Sequence, residues 1–186
     1  MSQAILDTNQ LLELCQKGDE RARIEIYNRY YKAMYNTAVR IVKDNFEAED
    51  IMQESFLKAF TKLHTFKGEV TFGAWLKKIV VNDSIYHFKK IQKKNEITLD
   101  RMIYRVEDTS ADVYKNDVSE KKAQKVLEAM SLLKDNYRVS LTLYLIEGYD
   151  YEEISEILHI SNANCRTMIS RAKESLRKKL GSYANQ

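Results

Sequence analysis

Near its carboxyl end the chain carries hydrogen-bond donors and cations on one face of a helical pattern. Between residues 161 and 180 that face holds Arg166, Thr167, Ser170, Arg171 and Lys173. Arginine, threonine and serine donate hydrogen bonds to base edges and to phosphates, so the face is typical of DNA binding. The alternative is an antiparallel helix pair with a solvated basic face, which the same spacing allows.

Two helices separated by a short turn must position these side chains. Asp150 stands three residues before Glu153, the spacing of a capping box, and predicts a first helix from Tyr151. His159 to Ser161 interrupts it, and Ser161 is a preferred residue at the start of the next helix. An apolar face lies opposite the basic one, formed by Cys165, Ile169, Ala172, Leu176 and Leu180. This pattern is that of a helix-turn-helix, whose second helix enters a DNA major groove.

Catalytic and metal-binding arrangements are missing from the sequence. The three histidines, at positions 64, 87 and 159, are scattered, and none pairs with a cysteine at metal-ligand spacing. The sequence has no glycine-rich phosphate loop and no nucleophile elbow. Cys15 and Cys165 lie on apolar helical faces and are expected in the core of a protein in a reducing cytosol. We therefore expect no enzyme, no metal and no cofactor.

Two further surfaces lie in the first half of the chain. Between residues 44 and 56, five carboxylates occur without a positive charge, and such a run is usually solvated or faces a partner. Between residues 56 and 90, aromatic residues alternate with lysines, which suits a single strand whose bases stack on rings. The alternative is a packed core, which we expect for Phe56 and Trp75. Phe66 is harder to explain by packing, and its loop, 64–71, could hold a base extruded from a duplex.

The composition favours a helical protein. The 186 residues include no proline and only five glycines, which suits helices better than turn-rich β structure. The sequence has no secretion signal and no apolar run long enough to span a membrane, so we expect a soluble cytoplasmic protein without membrane insertion. Apolar periodicity predicts helices over 8–17, 19–41, 47–63, 72–94, 119–133 and 135–146, ahead of the helix-turn-helix.

A stretch without clear periodicity divides these helices into two groups. Residues 96–120 carry seven acidic and three basic side chains. The sequence therefore predicts an all-α fold with two small helical domains, 1–95 and 119–186, joined by a flexible acidic linker, 96–118. The second domain ends in the helix-turn-helix.

The order of several motifs resembles the extracytoplasmic-function (ECF) sigma factors of bacterial RNA polymerase, in the sigma-70 superfamily. AEDIMQESF at 48–56, FKGE at 66–69 and FGAWLKKIVVN at 72–82 look like their domain two. Residues 138–180, with EGY at 147–149 and YEEISEIL at 151–158, look like their domain four. The opening LLE and KGD, at 11–13 and 17–19, also match the family. The resemblance covers almost the whole chain except the linker.

The resemblance implies a transcription initiation factor without catalysis of its own. It would bind core RNA polymerase, through the clamp helices of the β′ subunit and through the β subunit, and direct it to promoter DNA. The implied β′-binding residues are Asp50, Gln53, Glu54 and Phe56. Those that open the minus-ten element and capture a flipped base are Phe66, Lys67, Gly68, Glu69, Lys78 and Asn82. Those that read the minus-thirty-five element are Asn164, Arg166, Thr167, Ser170 and Arg171.

Other implied features concern partners and promoter choice. An anti-sigma protein is an expected partner, and the acidic linker would run near the RNA exit path. Asn164 stands where the family often has threonine, and Met168 where it often has arginine. Because asparagine can make a bidentate contact to adenine, the promoter sequence need not be the family's usual one. His159 replaces a common turn glycine, and histidine is among the residues that tolerate positive φ.

Two alternatives remain at this stage. A stand-alone helix-turn-helix regulator would use the same carboxyl-terminal helices, but such proteins normally dimerise on palindromes. That alternative leaves the acidic helix and the Phe66 loop without a role. A nucleic-acid-processing enzyme is the second alternative, and metal-dependent DNA cleavage would identify it.

Overall fold

A computed structural model of the chain describes residues 6–98 and 118–184, with side chains described at 6–94 and 123–181. Every regular element in these ranges is helical, as predicted. The helices form two compact units, one before and one after the gap. Apart from its ends, which belong to the flanking helices, the predicted linker at 96–118 lies outside the described residues. None of the helices described is long and apolar enough to cross a membrane.

The first unit contains α1 (Thr8–Gln16), α2 (Glu20–Val42), α3 (Asn45–Thr61) and α4 (Phe72–Thr98). Asp7, Asp19 and Asp44 begin the first three, each accepting a hydrogen bond from the backbone N–H three residues later at 2.9 Å. The cap at Asp44 explains why α3 begins two residues before the predicted start at 47. A single 3₁₀ turn, Leu63–Thr65, overlaps the start of the predicted loop at 64–71 and precedes an irregular segment.

Aromatic rings hold the first unit together. The helix α2 packs against α1, α3 and α4. Phe56 lies with its ring centroid 4.8 Å from that of Tyr27, and Phe66 lies 5.4 Å from Trp75. The core therefore takes up most of the rings that alternate with lysines, and the prediction that Phe56 packs in the core is confirmed. The ring of Phe66 is half-buried, so packing explains its presence in the loop.

The second unit contains α5 (Val118–Ser131), α6 (Asp135–Leu141), α7 (Tyr151–Leu158) and α8 (Asn162–Ala184). The first three all pack against α8. The predicted helix at 135–146 is α-helical only in its first part, because Thr142–Ile146 forms a π-helical turn.

The start of α7 and the turn between α7 and α8 confirm three local predictions. Asp150 accepts hydrogen bonds from the backbone N–H groups of Glu152 and Glu153 at 2.8 Å, and the Glu153 carboxylate accepts one from the Asp150 N–H at 2.9 Å. His159 adopts φ 52°, and the Ser161 hydroxyl oxygen accepts a hydrogen bond from the Asn164 N–H at 3.2 Å.

Two neighbouring residues of α3 provide a stability test. Phe56 is 2% exposed, whereas its neighbour Leu57 is 69% exposed. We expect Phe56→Ala to lower the free energy of unfolding by about 3–5 kcal/mol. Leu57→Ala is expected to change it by less than about 0.5 kcal/mol. Urea unfolding followed by the fluorescence of Trp75, the single tryptophan, reports on the first unit. Equal losses in the two variants would contradict this assignment of burial.

Candidate functional site

One face of α3 is acidic and ends in exposed apolar side chains. Positions 46, 50, 53 and 57 follow the spacing of a single helix face. Phe46 is 84% and Leu57 69% exposed. The three predicted polar residues of this face are exposed, and the Gln53 amide donates a hydrogen bond to Glu49 at 3.2 Å. We call this surface the acidic α3 face; it consists of Phe46, Asp50, Gln53, Glu54 and Leu57.

The structure corrects the prediction that Phe56 belongs to this surface. Its ring points into the first unit, where it lies 6.1 Å from the ring of Phe60 and closer still to that of Tyr27. Because successive residues of a helix point about 100° apart, Leu57 takes the outward position. The contribution of Phe56 is to fix α3 on the core.

The loop before α4 presents three of the predicted residues to solvent. Lys67, Gly68 and Glu69 are exposed, and Gly68 adopts φ 75°, a left-handed conformation that favours glycine. The half-buried ring of Phe66 anchors the loop, with its centroid 5.8 Å from that of Phe72. The exposed residues of the loop therefore follow directly after a side chain, Phe66, that packs on the first unit.

The loop leads directly into α4. The Thr71 hydroxyl oxygen accepts a hydrogen bond from the Ala74 N–H at 3.3 Å, which caps the helix. A Cβ on Gly73 would lie 2.9 Å from the Tyr30 ring, so glycine allows the start of α4 to pack closely on α2.

The outer face of α4 carries exposed lysines between residues 78 and 90. Lys78 and Asn82, both predicted site residues, are exposed and stand four residues apart. Tyr86, 67% exposed, and Lys90 continue the same spacing. We call these four residues the basic α4 face. The sequence analysis did not select Tyr86 as a site residue, although its spacing from Asn82 was a signal for it.

The single carboxylate between residues 72 and 94 points away from this face. Asp83 accepts hydrogen bonds from the Ser55 hydroxyl at 2.8 Å and from the Lys58 ammonium at 2.9 Å, both on α3. These contacts join α3 to α4 and turn the negative charge of Asp83 toward α3.

The helix α8 separates core and surface residues as predicted. Cys165, Ile169 and Ala172 are fully buried, and burial raises the pKa of the Cys165 thiol. All five predicted reading residues are exposed: Asn164, Arg166, Thr167, Ser170 and Arg171. The Thr167 hydroxyl donates its proton to the Ala163 carbonyl at 3.0 Å, so toward DNA it can act as an acceptor.

The Arg166 side chain contacts two neighbouring side chains. Its Nε–H donates a hydrogen bond to the Asn162 side-chain oxygen at 3.2 Å, and its guanidinium carbon lies 5.1 Å from the ring centroid of Tyr151. Tyr151 stacks on Tyr144 at 5.2 Å, and the Lys173 ammonium lies 4.0 Å from the Tyr144 centroid. Asn162 and both tyrosines are absent from the predicted site. The position of Asn162 four residues before Arg166 was a signal for it, whereas the contacts of the tyrosines join separate elements and leave no periodic signal.

Within the described side chains, no group of three or more histidine, cysteine, aspartate or glutamate residues gathers in a way that could hold a metal ion. The surfaces present charged, amide and aromatic groups, which suit binding to macromolecules.

Comparison with known proteins identifies the family. The model of Sigma-70 region 2 matches residues 26–94, and that of Sigma-70, region 4 matches residues 123–176. The ECF RNA polymerase sigma factor SigM of Bacillus subtilis is 31% identical over 158 residues, which cover 82% of this chain and 91% of SigM. SigW of the same organism is 32% identical over 178 residues, covering 89% and 92% of the two chains. The chain belongs to the ECF sigma factors of RNA polymerase.

Solved structures show the same fold. The sigma factor RpoE of Bartonella quintana, in complex with the anti-sigma factor NepR, is 22% identical, with a TM-score of 0.58 over 84% of this chain and 95% of that one. CnrH, in complex with the cytosolic domain of CnrY, is 19% identical, with a TM-score of 0.55 over 95% of this chain and 99% of that one.

Membership in the family confirms the function predicted from the sequence. A sigma factor binds core RNA polymerase and promoter DNA, and it is a transcription initiation factor rather than an enzyme. The alternative of a stand-alone regulator does not account for the region 2 match over α2 to α4.

The contact between α3 and α4 of this sigma factor can be tested by mutation. Ser55 is fully buried, so Asp83→Ala removes the acceptor of a buried hydroxyl and is expected to cost about 1–3 kcal/mol of unfolding free energy. Lys58→Ala removes only a partly exposed ion pair and should cost less than about 1 kcal/mol. Urea titrations of both variants measure the difference. A larger loss for Lys58→Ala would show that the ion pair, rather than the buried hydroxyl, carries the contact.

Proposed function

We propose that the acidic α3 face is the surface that binds the clamp helices of the β′ subunit. Its carboxylates, unopposed by positive charge between residues 44 and 56, suit a basic partner. The exposed side chains of Phe46 and Leu57 supply apolar area that a protein interface can bury. Leu57 replaces Phe56 in this assignment, while Asp50, Gln53 and Glu54 keep their predicted role.

We further propose that the loop and the outer side of α4 bind the minus-ten element. The exposed loop residues Lys67, Gly68 and Glu69 protrude beside the anchored Phe66, as a segment must if it is to receive an extruded base. Lys78 and Asn82 stand next on the helix, where lysine suits the backbone and asparagine a base edge. Tyr86 adds an exposed ring to the same face, suited to stacking.

The helix α8 is assigned to the minus-thirty-five element. Its exposed residues Asn164, Arg166, Thr167, Ser170 and Arg171 cover one side of a capped helix, as a major-groove reader requires. Asn164 lies in the first turn and could pair with adenine. One observation carries the whole assignment. The exposed face of α3 is acidic, whereas the exposed faces of α4 and of α8 each carry basic residues.

The remaining partners follow from the family and its relatives. We propose that residues 1–95 and 119–186 act as the two sigma domains, with 96–118 as linker, and that the protein also contacts the β subunit. It works in the cytoplasm, where the polymerase is. RpoE was solved with an anti-sigma factor, which supports an anti-sigma factor as a partner of this chain too.

Polymerase binding can be tested on the acidic α3 face. We expect core RNA polymerase plus this protein to make promoter-specific transcripts from a genomic library. Glu54→Lys should weaken binding to core enzyme by about tenfold or more, because like charges brought together across an interface cost several kcal/mol. Fluorescence anisotropy of labelled protein titrated with core enzyme measures the change.

The matched control for this prediction is Glu13→Lys, the same charge reversal at an exposed position of α1. It should bind core enzyme like the wild type. Unchanged binding of Glu54→Lys would refute the assignment of α3, and the absence of any promoter-specific transcript from wild-type protein would refute the proposed promoter activity.

The role of Arg166 can be tested on the minus-thirty-five element. If it reads a base, Arg166→Ala in the holoenzyme should reduce discrimination at one base pair by about 1–3 kcal/mol. Lys178→Ala is the control, because that ammonium lies on the same helix and pairs with Glu174 at 2.9 Å. Binding to a set of single-base promoter variants measures both. A uniform loss across all sequences, with a smaller salt dependence, would instead make Arg166 a phosphate contact.

A further inference from the structure

Four side chains of the second unit form a continuous series of contacts that ends at the proposed reading residue. The Lys173 ammonium lies 4.0 Å from the ring centroid of Tyr144. The Tyr144 ring stacks on Tyr151 at 5.2 Å with 29° between the planes. The Tyr151 ring in turn lies 5.1 Å from the Arg166 guanidinium carbon. Both cation–ring distances are within the approximate 6 Å limit for cation–π attraction.

The contacts join three elements of the helix-turn-helix. Tyr144 belongs to the π-helical turn after α6, Tyr151 is the first residue of α7, and both cations lie on α8. The neighbouring Tyr151 side chain first, and then the Lys173 ammonium, lower the pKa of the Tyr144 hydroxyl.

The orientation of Arg166 follows from its two contacts. Its Nε–H is donated to the Asn162 side-chain oxygen at 3.2 Å, one turn earlier on α8, while its guanidinium carbon lies 5.1 Å from the centroid of the Tyr151 ring. A guanidinium has five N–H donors, so four remain on the two terminal nitrogens. These are the nitrogens that make a bidentate contact to O6 and N7 of guanine.

We propose that Tyr151 is a positioning residue for promoter recognition, which holds the Arg166 guanidinium in the orientation that presents its terminal nitrogens to a base. Tyr144, in the preceding π-helical turn, stacks on Tyr151 and supports it. Lys173, on α8, contacts Tyr144 in turn. The inference rests on the proposed role of α8 as the minus-thirty-five reader. On this inference, discrimination between promoter sequences depends partly on Tyr151, which lies on α7 and not on α8.

A double-mutant cycle in the holoenzyme tests this inference. The probe is promoter DNA carrying the minus-thirty-five sequence that the wild-type holoenzyme selects from a random library. Tyr151→Leu removes the π face, and we expect it to weaken binding about two- to fivefold and to relax preference at the base pair that Arg166→Ala relaxes. Tyr151→Phe keeps the ring and should bind nearly as the wild type does. In the Arg166→Ala background, Tyr151→Leu should have no further effect.

A second measurement needs no DNA. The side-chain Nε–H and δ protons of Arg166 in the full chain should show the ring-current shift of a nearby aromatic face in their NMR spectrum. We expect the shift to persist in Tyr151→Phe and to disappear in Tyr151→Leu. Tyr144→Leu, which removes the stacking partner alone, should reduce it. This measurement and Tyr144→Leu keep the test decisive if Tyr151→Leu fails to fold.

Several outcomes would overturn the inference. Independent, additive effects of Tyr151→Leu and Arg166→Ala would show that Tyr151 does not act through Arg166. An equal loss in Tyr151→Phe and Tyr151→Leu would assign the effect to the hydroxyl. If Arg166→Ala leaves binding unchanged, the proposed reading role of Arg166 fails and the positioning role fails with it. If Arg166→Ala weakens binding and the ring-current shift is absent, the positioning role alone fails.

Discussion

The burial of one face of α3, α4 and α8 determines which of their residues remain for partners. Successive residues of a helix point about 100° apart, so a buried residue can have a fully exposed neighbour. Phe56 is 2% and Leu57 69% exposed, and the fully buried Cys165 precedes the exposed Arg166. A sigma factor needs a polymerase-binding surface and DNA-binding surfaces on a small chain. On the proposed assignment, each of these three helices supplies one such surface with its outer face and uses its inner face to hold that surface in place.

Charge is distributed between the same surfaces by specific contacts. Asp83 is the one carboxylate of α4 up to residue 94, and it faces α3, where Ser55 and Lys58 donate to it. The carboxylate of Asp83 is therefore part of the contact between α3 and α4. It does not reduce the positive charge on the outer face of α4. Salt screens the interactions of exposed charges strongly and those of partly buried charges less. At high salt concentration the Asp83 contact therefore persists, while attraction of the exposed lysines to phosphate weakens.

The parts of this fold that could be predicted from the sequence are those with local signals. The capping box at Asp150, the cap at Ser161 and the apolar spacing of α8 each depend on residues within one or two turns, and all are confirmed. Phe56 and Leu57 are adjacent apolar residues of α3, and their spacing alone does not decide which of them packs inward; the ring of Phe56 contacts Tyr27, and Leu57 stays exposed. Phe66 looked unexplained because its packing partners, Phe72 and Trp75, lie beyond the loop. The contacts of Arg166 with Tyr151 likewise join separate elements, so no spacing rule could reveal them.

The two regions proposed to contact DNA differ in how their side chains are held, and the difference fits their proposed tasks. Fixing a long cationic side chain costs up to about 2 kcal/mol of rotamer entropy, and a contact made before binding offsets part of that cost. Arg166 has two such contacts, with Asn162 and Tyr151, as suits a residue that must meet one base edge in a regular duplex groove. Lys67 to Glu69 are exposed on a loop anchored at Phe66. Exposed loops are as a rule more mobile than helices, which suits a segment that is to receive an extruded base. On the proposed assignment, a side chain held by two contacts on α8 and an exposed loop before α4 are therefore complementary ways to recognise the two parts of one promoter.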